Sequence, residues 1–525
     1  MKGYSWRIRI RMLIAVCFLL VIAAAGLINW RLVAKPVQNF MAGSSQFHEI
    51  TENIEKEYQS GDFFPRQVMI NLNGLAARIA GFRHYNGVVL LSGNTLAGEL
   101  IPNRDTDSWF RGIAELSQSL KKHNIPFLYI QAPYKIAYDR SNLPAGLTDY
   151  GNQIADRLLH ALQHENVNTL DLRKWISEDA NQVETYFYKT DNHWNTDGTF
   201  VAFTQMISWI QEHIYPDLNV EYADRSLWEH HVLSNPFLDN LGKRVGQYYA
   251  GTDAPEWVLP RFTTYMSASM PGSRLFYSGS FRNANLQMEH ATSGELFTND
   301  EYDMFMGGDY PEIVHKNSEA PNRLKVLIVK DSFMRPLEGL LSTMFTELTT
   351  LDLNLYDEMT LHEYIALNRP DIVLMMVSPA EIGSAAFDRF GGHMPQIVGN
   401  GSRKPLVDHA TLNIEATESN RRFGTFPMTL EPGKTYEVTI EGIHISKGVS
   451  DGVSIGVYSP GLNRMVCYTV ADVNLANRYG EKWRVRVPDE LPEDEPVTLQ
   501  FYSGIAGKTA GISAVYSGLT VREVE

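Results

Sequence analysis

Cysteine is nearly absent from this chain of 525 residues, and so are the motifs that identify many cofactor-dependent enzymes. The two cysteines, Cys17 and Cys467, lie far apart and form no CxxC pair, which argues against a thiol redox motif and a cysteine-rich zinc site. There is no P-loop, no GxGxxG and no HExxH, so neither a nucleotide cofactor nor a metal ion is predicted. Any chemistry is therefore expected from ordinary polar side chains.

Positive charge is also scarce. The chain has 46 lysines and arginines against 61 acidic residues, which gives a net charge of −15. Nucleic acids bind basic surfaces, so this balance argues against a nucleic-acid partner. It is compatible with a neutral or a uronic polymer as substrate and identifies neither. Hydrophobic residues make up 44% of the chain, which is enough for a large core, and the length suggests two to four domains.

A long apolar run occurs near the N-terminus. Residues 1–11 form a basic tail without acidic residues, and residues 12–30 are apolar up to Asn29 and Trp30. A helix over 12–30 is long enough to span a bilayer, and the basic tail predicts a cytoplasmic N-terminus. We therefore expect a single-pass signal-anchor helix in the cell membrane, a juxtamembrane stalk at 31–80, and an extracytoplasmic remainder. A cleaved signal peptide is the alternative.

Strand and helix patterns alternate from residue 81 to about 400. Apolar strands such as Phe127–Gln131, Leu324–Val329 and Asp371–Val377 are separated by helical patterns. This order predicts an α/β domain with a parallel, doubly wound sheet and helices on both faces. Residues 204–323 interrupt the alternation with Gly-, Tyr- and Asn-rich loops, and we interpret them as an insertion.

The last segment, residues 401–525, differs from the rest. Polar residues alternate with apolar or aromatic ones, and turn residues separate the alternating stretches. This pattern predicts an antiparallel β-sandwich. Its aromatic residues and its position make it a candidate carbohydrate-binding domain, although aromatic side chains in sandwiches are often core.

Ser332 follows a predicted strand end. The strand Leu324–Val329 runs into Lys330-Asp331-Ser332-Phe333, and Pro336 suits the first turn of the next helix. Main-chain N–H groups at such a helix start can stabilise developing negative charge. The segment alone leaves two interpretations open, a nucleophilic serine or an ordinary helix N-cap.

A second motif, Thr190-Asp191-Asn192-His193-Trp194, offers what a nucleophilic serine needs. Histidine can accept the hydroxyl proton near neutral pH, and a carboxylate can hold the histidine in the required tautomer. Alone, this motif is equally compatible with a surface or metal-binding role. With Ser332, both motifs are predicted at strand ends of one sheet, where they can converge.

These motifs resemble the alginate O-acetyltransferase-like branch of the SGNH hydrolase superfamily, which includes bacterial proteins named for a D-H-H-W motif. In this chain the second motif position is Asn192. The similarity extends to Ala132-Pro133-Tyr134-Lys135, to GKRVG at 242–246 and to Pro370-Asp371-Ile372-Val373, and it covers about residues 80–390. It implies an SGNH-like (flavodoxin-like) sheet domain.

The resemblance also implies a reaction. Ser332 would attack an acyl donor, His193 would take its proton, and Asp191 would orient His193. O-acetylation of a cell-surface or exported polysaccharide is the predicted outcome, with a membrane-bound O-acyltransferase as the implied donor partner. If water accepts the acyl group, the same residues make a carbohydrate acetylesterase. A non-catalytic glycan-binding scaffold of an export complex is the third hypothesis. The sequence names neither polymer nor donor.

Further residues are candidate substrate contacts, each with a structural alternative. Arg335 can bind an anionic sugar or be a solvated charge at a helix start. Lys135 and Trp194 can line the crevice, although a tryptophan is more often core. Arg244 and Tyr248 can contact sugar from the loop after residue 240, where exposure to solvent and packing are the alternatives.

Overall fold

The computed structural model describes most of the chain beyond residue 65. It describes residues 66–273, 275–292, 296–297, 301–384, 390, 404–414, 423–446, 452–489, 491, 496–505 and 513–524, with single helical positions between residues 16 and 41. The basic tail at 1–11 and nearly all of the predicted membrane helix at 12–30 lie outside the described residues. Within the described part, no helix is both long and apolar enough to cross a bilayer.

Helices lie in both folded parts of the chain, and the longest belong to the α/β domain. They are α1 Arg66–Ile79, α2 Asp107–Lys122, α3 Tyr150–His164, α4 Arg173–Ile176, α5 Ala180–Tyr186, α6 Thr196–His213, α7 Asn240–Val245, α8 Gln247–Ala250, α9 Phe281–Asn285, α10 Glu289–Thr292, α11 Arg335–Ser342, α12 Leu361–Asn368 and α13 Val473–Tyr479. Helix α1 lies within the predicted stalk. It packs on the α7–α8 segment, where the Asn71 side chain accepts a hydrogen bond from the Gln247 N–H at 2.9 Å.

The strands before residue 400 are short and mostly buried. They are β1 His84–Tyr85, β2 Val88–Leu90, β3 Leu96–Ala97, β4 Phe127–Gln131, β5 Thr169–Asp171, β6 Trp228–Val232, β7 Glu256–Pro260, β8 Met266–Met270, β9 Leu275–Gly279, β10 Glu312–Asn317, β11 Asn322–Lys330, β12 Phe345–Leu351 and β13 Ile372–Val377. Strands β1 to β3 form a small antiparallel sheet, and β6 pairs with β7.

The main sheet has eight strands in the order β5-β4-β13-β11-β12-β10-β8-β9. The first five run parallel, as predicted, with β11 between β13 and β12. The last three are antiparallel, so the sheet is mixed and the prediction of a wholly parallel sheet was wrong. Of these three strands, only β8 and β9 are joined by a short hairpin, which makes neighbouring strands antiparallel, whereas β10 reaches its antiparallel neighbours through longer connections. Strands β8, β9 and β10 all lie within residues 204–323, so this segment extends the sheet.

Helices cover both faces of the sheet. Strand β4 alternates between the two cores, with Leu128 and Ile130 on one face and Phe127 and Tyr129 on the other. Helices α6 and α11 cover the first face, and helices α2, α3 and α12 cover the second. Because both faces are buried, the central strands are apolar throughout.

The C-terminal part is a two-sheet antiparallel structure. Its strands are β14 Val407–Ile414, β15 Phe423–Leu430, β16 Thr435–Ile440, β17 Gly442–Ile445, β18 Gly452–Ser459, β19 Arg464–Asp472, β20 Glu481–Arg486, β21 Val497–Tyr502 and β22 Ala514–Val524. One sheet has the order β14-β22-β16-β20, with β17 also paired to β22, and the other has the order β15-β21-β18-β19. Side chains from both sheets share one apolar core, which agrees with the sandwich predicted from the alternation.

Polar contacts attach the sandwich to the α/β domain. The ammonium of Lys316 in β10 contacts both carboxylate oxygens of Glu481 in β20, at 2.6 and 2.8 Å. The guanidinium of Arg478 donates to the Ser318 carbonyl at 2.9 Å, and the Tyr468 hydroxyl donates to the Pro271 carbonyl. The domains therefore meet along the antiparallel side of the main sheet.

Candidate active site

Strand β11 positions Ser332 just beyond its own carboxyl end, at the side of the sheet where the parallel strands end. Asp331 follows the strand, and a turn at Ser332–Met334 leads into helix α11 with Pro336 in its first turn. The N-cap is Asp331, whose carboxylate accepts hydrogen bonds from the N–H of Phe333 at 3.1 Å and of Ser378 at 2.6 Å. Because Asp331 caps the turn, the Ser332 hydroxyl is available for another partner.

The Ser332 hydroxyl lies 2.8 Å from Nε2 of His193. On the other side of the imidazole, Nδ1 lies 2.8 Å from the Asp191 carboxylate. The structure therefore brings the three predicted side chains into one hydrogen-bonded chain, in which a carboxylate orients a base and the base contacts a hydroxyl. The imidazole is 16% exposed, so a substrate can reach it, whereas the Asp191 side chain is only 3% exposed.

Asp191 and His193 lie in the loop between α5 and α6, so the expectation of a strand end was wrong for this motif. Only an isolated bridge between Phe187 and Trp194 has strand-like pairing in this loop. The loop gains its order from long-range polar contacts instead. The Asp253 carboxylate accepts hydrogen bonds from the Lys189 and Thr190 N–H groups, each at 2.7 Å, and from the Thr190 hydroxyl at 2.6 Å.

The GKRVG stretch at 242–246 holds the same loop from another side. The Thr190 carbonyl accepts hydrogen bonds from the N–H groups of Leu241 at 3.1 Å and Gly242 at 2.9 Å, at the start of α7. The side chain of Asn192 accepts one from the Gly98 N–H at 3.0 Å. Contacts with three distant segments thus fix the loop that carries Asp191 and His193.

The Asp191 carboxylate is buried, and burial alone would raise its pKa. His193 and the nearby charge of Lys135 outweigh that effect and hold the pKa of the Asp191 carboxyl below its usual value. Asp191 is therefore charged at neutral pH and can orient the imidazole and stabilise its protonated form. Asp331 differs, since burial raises the pKa of its carboxyl to about 6.

Aromatic rings confine the imidazole of His193. The ring of Tyr302 stacks on it with centroids 4.0 Å apart and an interplanar angle of 10°. Phe333 meets it edge-on at 5.0 Å, and Trp194 packs against Phe333 at 5.4 Å. Trp194 is fully buried and supports Phe333, and its predicted role as a substrate contact stays a prediction.

Two of the other predicted substrate contacts are already engaged by protein groups. Lys135 is buried, and its ammonium donates to the main-chain carbonyls of Asp191 and Lys189. The guanidinium of Arg335 pairs with Asp303 and Asp309, with a 2.9 Å contact from Nε to Asp309. Both residues support the site from within the protein, and direct contact with a substrate remains a prediction for each.

Arg244 lies on α7 and Tyr248 lies on α8. Arg244 borders an open cavity of about 340 Å³ whose other lining residues are Arg66, Ile70, Asn86, Asn240 and Lys243. The Tyr248 side chain is 53% exposed on the neighbouring helix. Both side chains are accessible, and their contact with substrate stays a prediction.

No local motif identifies Tyr302 or Asp253 as site residues. Both lie in the segment interpreted as an insertion, and their partners are far away in the chain. The general signal was their place in a loop-rich segment of an α/β domain, since ligand sites form in loops at the carboxyl ends of parallel strands. No spacing rule links Tyr302 to His193.

Comparison with known proteins finds a family model that matches part of this chain. Residues 102–277 match the family model described as SGNH hydrolase-like domain, acetyltransferase AlgX. The matched segment includes Asp191 and His193 and ends before Ser332. No curated protein matches the chain.

Similar solved structures include PatB1 of Bacillus cereus, which is 20% identical with a TM-score of 0.47 over 57% of this chain and 99% of that one. A DHHW family protein from Eubacterium siraeum is 17% identical, with a TM-score of 0.43 over 60% and 98% of the two chains. AlgX of Pseudomonas aeruginosa is 11% identical, with a TM-score of 0.33 over 85% and 96%. The family match confirms the resemblance of this chain to the alginate O-acetyltransferase-like, SGNH hydrolase-like proteins.

Proposed function

We propose that this chain is an O-acetyltransferase that carries an acetyl group on Ser332 and transfers it to hydroxyl groups of an extracytoplasmic polysaccharide. The observation that carries the proposal is the hydrogen-bonded chain from Asp191 through His193 to the Ser332 hydroxyl. The match of residues 102–277 to an acetyltransferase family model supports acetyl as the group transferred.

In the first half-reaction, the Ser332 oxygen attacks the carbonyl carbon of an acetyl donor while Nε2 of His193 takes the hydroxyl proton. The tetrahedral intermediate collapses, the bond from the acetyl carbon to the donor's leaving group breaks, and His193 returns the proton to that group. Asp191 stabilises the imidazolium that exists between these steps. The product is an ester between the acetyl group and Ser332.

In the second half-reaction, a sugar hydroxyl attacks the ester carbonyl and His193 takes the sugar proton. The bond to the Ser332 oxygen then breaks, and His193 returns the proton to that oxygen. The acetylated sugar leaves and the free serine is restored. Water can replace the sugar, and the enzyme would then be an acetylesterase, so the accepting hydroxyl distinguishes the two activities.

The oxyanion formed in these steps needs hydrogen-bond donors. The N–H groups of Phe333 and Met334 are engaged by the carboxylate and carbonyl of Asp331. The helix start therefore offers fewer free donors than the strand-to-helix pattern suggested. This difference follows from Asp331 acting as the N-cap.

The cellular setting belongs to the proposal. A membrane helix at 12–30 with a cytoplasmic N-terminus would hold the site outside the cytoplasm, where an exported polymer passes. An acetyl donor would then come from a membrane-bound O-acyltransferase, and the C-terminal sandwich is a candidate for holding the glycan.

The test uses the purified chain, a chromogenic acetyl ester as donor, and a panel of neutral and acidic oligosaccharides as acceptors. We expect mass spectrometry to detect acetyl groups on an oligosaccharide and, transiently, on the peptide containing Ser332. Ser332→Ala should abolish both, whereas the control Ser117→Ala on helix α2 should leave both unchanged.

Three outcomes would overturn the proposal in different ways. Transfer that persists in Ser332→Ala excludes the serine mechanism. Acetate release at a rate that no acceptor alters indicates an esterase. Absence of turnover together with tight polymer binding by the unmodified chain indicates the scaffold function.

A further inference from the structure

Tyr302 lies flat against the imidazole that contacts Ser332. The two rings are 4.0 Å apart and nearly parallel, and Phe305 supports Tyr302 from an edge at 5.8 Å. The Tyr302 side chain is 3% exposed, so it is part of the protein interior. A ring held in this way restricts rotation of the His193 imidazole about its Cβ–Cγ bond.

The hydroxyl of Tyr302 contacts the other half of the site. It donates a hydrogen bond to the main-chain carbonyl of Ser332 at 3.2 Å. Burial raises the pKa of the Tyr302 phenol well above its usual value, so the hydroxyl keeps its proton and remains a donor. One side chain therefore touches the imidazole of His193 and the backbone of Ser332.

Arg335 in turn holds Tyr302. Its guanidinium carbon lies 5.4 Å from the centroid of the Tyr302 ring, within the range of a cation–π contact. Two carboxylates, those of Asp303 and Asp309, fix the guanidinium, and Asp309 is also paired with the buried Lys330 at 3.1 Å. Lys330 directly precedes Asp331, so this ion network is tied to the end of strand β11.

We infer that Tyr302 is a positioning residue that sets the distance between the His193 base and the Ser332 hydroxyl, and that Arg335 acts through Tyr302. The inference rests on the proposed function, because the distance matters only if His193 takes the Ser332 proton. It assigns Arg335 a role inside the protein, since its guanidinium is already neutralised by two aspartates.

The experiment measures steady-state hydrolysis of a chromogenic acetyl ester as a function of pH. Tyr302→Leu removes the stacked ring and is expected to lower kcat about 100-fold, as a small misplacement of reacting groups does, with KM changed less than about twofold. Tyr302→Phe keeps the ring and should restore kcat to within about 10-fold of the unmodified enzyme. The acidic limb of the pH profile should move in Tyr302→Leu and return in Tyr302→Phe.

Tyr215→Phe is the matched control, because the Tyr215 hydroxyl also donates to a main-chain carbonyl, that of Asp371 at 2.9 Å. It should leave kcat, KM and the pH profile unchanged. If Tyr302→Leu does not fold, Arg335→Gln decides instead, and it must lower kcat without raising KM.

A Tyr302→Leu enzyme with unchanged kcat, or a loss that appears only in KM, would overturn the inference. An Arg335→Gln enzyme whose KM rises at constant kcat would also do so, since it would indicate direct substrate binding. Failure of the proposed function is separate, because Ser332→Ala would then hydrolyse the ester as fast as the unmodified chain.

Discussion

The buried ammonium of Lys135 donates a hydrogen bond to the main-chain carbonyl of Asp191, beside the carboxylate that orients His193. Burial lowers the pKa of Lys135 to about 8, against the opposing effect of Asp253, Asp191 and Asp239. The lysine therefore carries charge at neutral pH and loses it under mildly alkaline conditions. The charged lysine anchors the loop through its hydrogen bonds, and together with His193 it lowers the pKa of the Asp191 carboxyl.

Lys135→Met should change how stability depends on pH. Below pH 8, Lys135 is protonated in both the folded and the unfolded chain. Between pH 8 and its unfolded value near 10.5, only the unfolded chain keeps the proton, so the free energy of unfolding rises with pH. Urea unfolding between pH 7 and 10 should show this rise in the unmodified protein and a smaller one in Lys135→Met.

The matched control is Lys174→Met, a change at an exposed lysine of helix α4, which should keep the full rise. In activity, Lys135→Met should lower kcat at pH 7, and the unmodified enzyme should lose activity above about pH 8. Equal slopes of stability against pH in the unmodified protein and Lys135→Met would contradict the explanation.

Asp191→Asn should leave the fold intact and lower kcat by about 10³- to 10⁴-fold, because an amide favours the wrong tautomer of His193. The change is expected in ester hydrolysis and in transfer to a sugar alike. Asp239→Asn is unsuitable as a control because Asp239 caps α7 beside the same loop. Asp224→Asn, at an exposed turn, is suitable. A loss below about 10-fold in Asp191→Asn would mean that Asp191 is not the orienting group.

Asp253→Ala should disorder the loop that carries the base. The change removes a carboxylate that accepts three hydrogen bonds from Lys189 and Thr190. Hydrogen bonds to a charged group are worth about 1.5–3 kcal/mol each, so we expect a loss of unfolding free energy of at least about 2 kcal/mol and a fall in kcat. Faster amide hydrogen exchange at residues 187–195 is the direct measurement, and unchanged exchange would refute the role.

The Lys316–Glu481 pair should couple the two domains. Glu481→Gln leaves the Lys316 charge buried at the domain boundary without its carboxylate, which costs about 3–5 kcal/mol when a buried pair is broken. The double variant Lys316→Met with Glu481→Met should lose much less. Calorimetry should show the transitions of the two domains separating in Glu481→Gln, and a single unchanged transition would be inconsistent with coupling.

Much of the α/β order could be predicted from the sequence because burial on both faces makes the central strands apolar. Strand β4, Phe127–Gln131, has the predicted bounds, and β13 differs from its prediction by one residue. The antiparallel strands could not be predicted in the same way. Strands β8 to β10 contain the buried polar residues Ser267, Ser269 and His315 and the cross-domain partner Lys316, and these residues interrupt the apolar pattern expected of buried strands.

The site residues also differ in whether a local sequence pattern could predict them. Ser332, His193 and Asp191 could be predicted because each has a local motif with a chemical reason. Tyr302, Asp253 and the Asp303–Arg335–Asp309 network could not, since their roles arise only from contacts between distant segments. Arg335 illustrates the limit, because its position near the serine suggested an anion site and its actual partners lie in another segment.

His193 and Ser332 are separated by 139 residues, and their hydrogen bond joins a loop between two helices to the end of a central strand. Strand β11 pairs with β12 and β13, and both of these strands follow it in the chain. It can therefore enter the sheet only after they have been synthesised. Contacts of such long sequence range require the closure of long loops, which costs entropy and slows folding. A nascent or partly folded chain would therefore hold an inert serine, so that recovery of ester turnover after dilution from denaturant would report completion of the whole α/β domain.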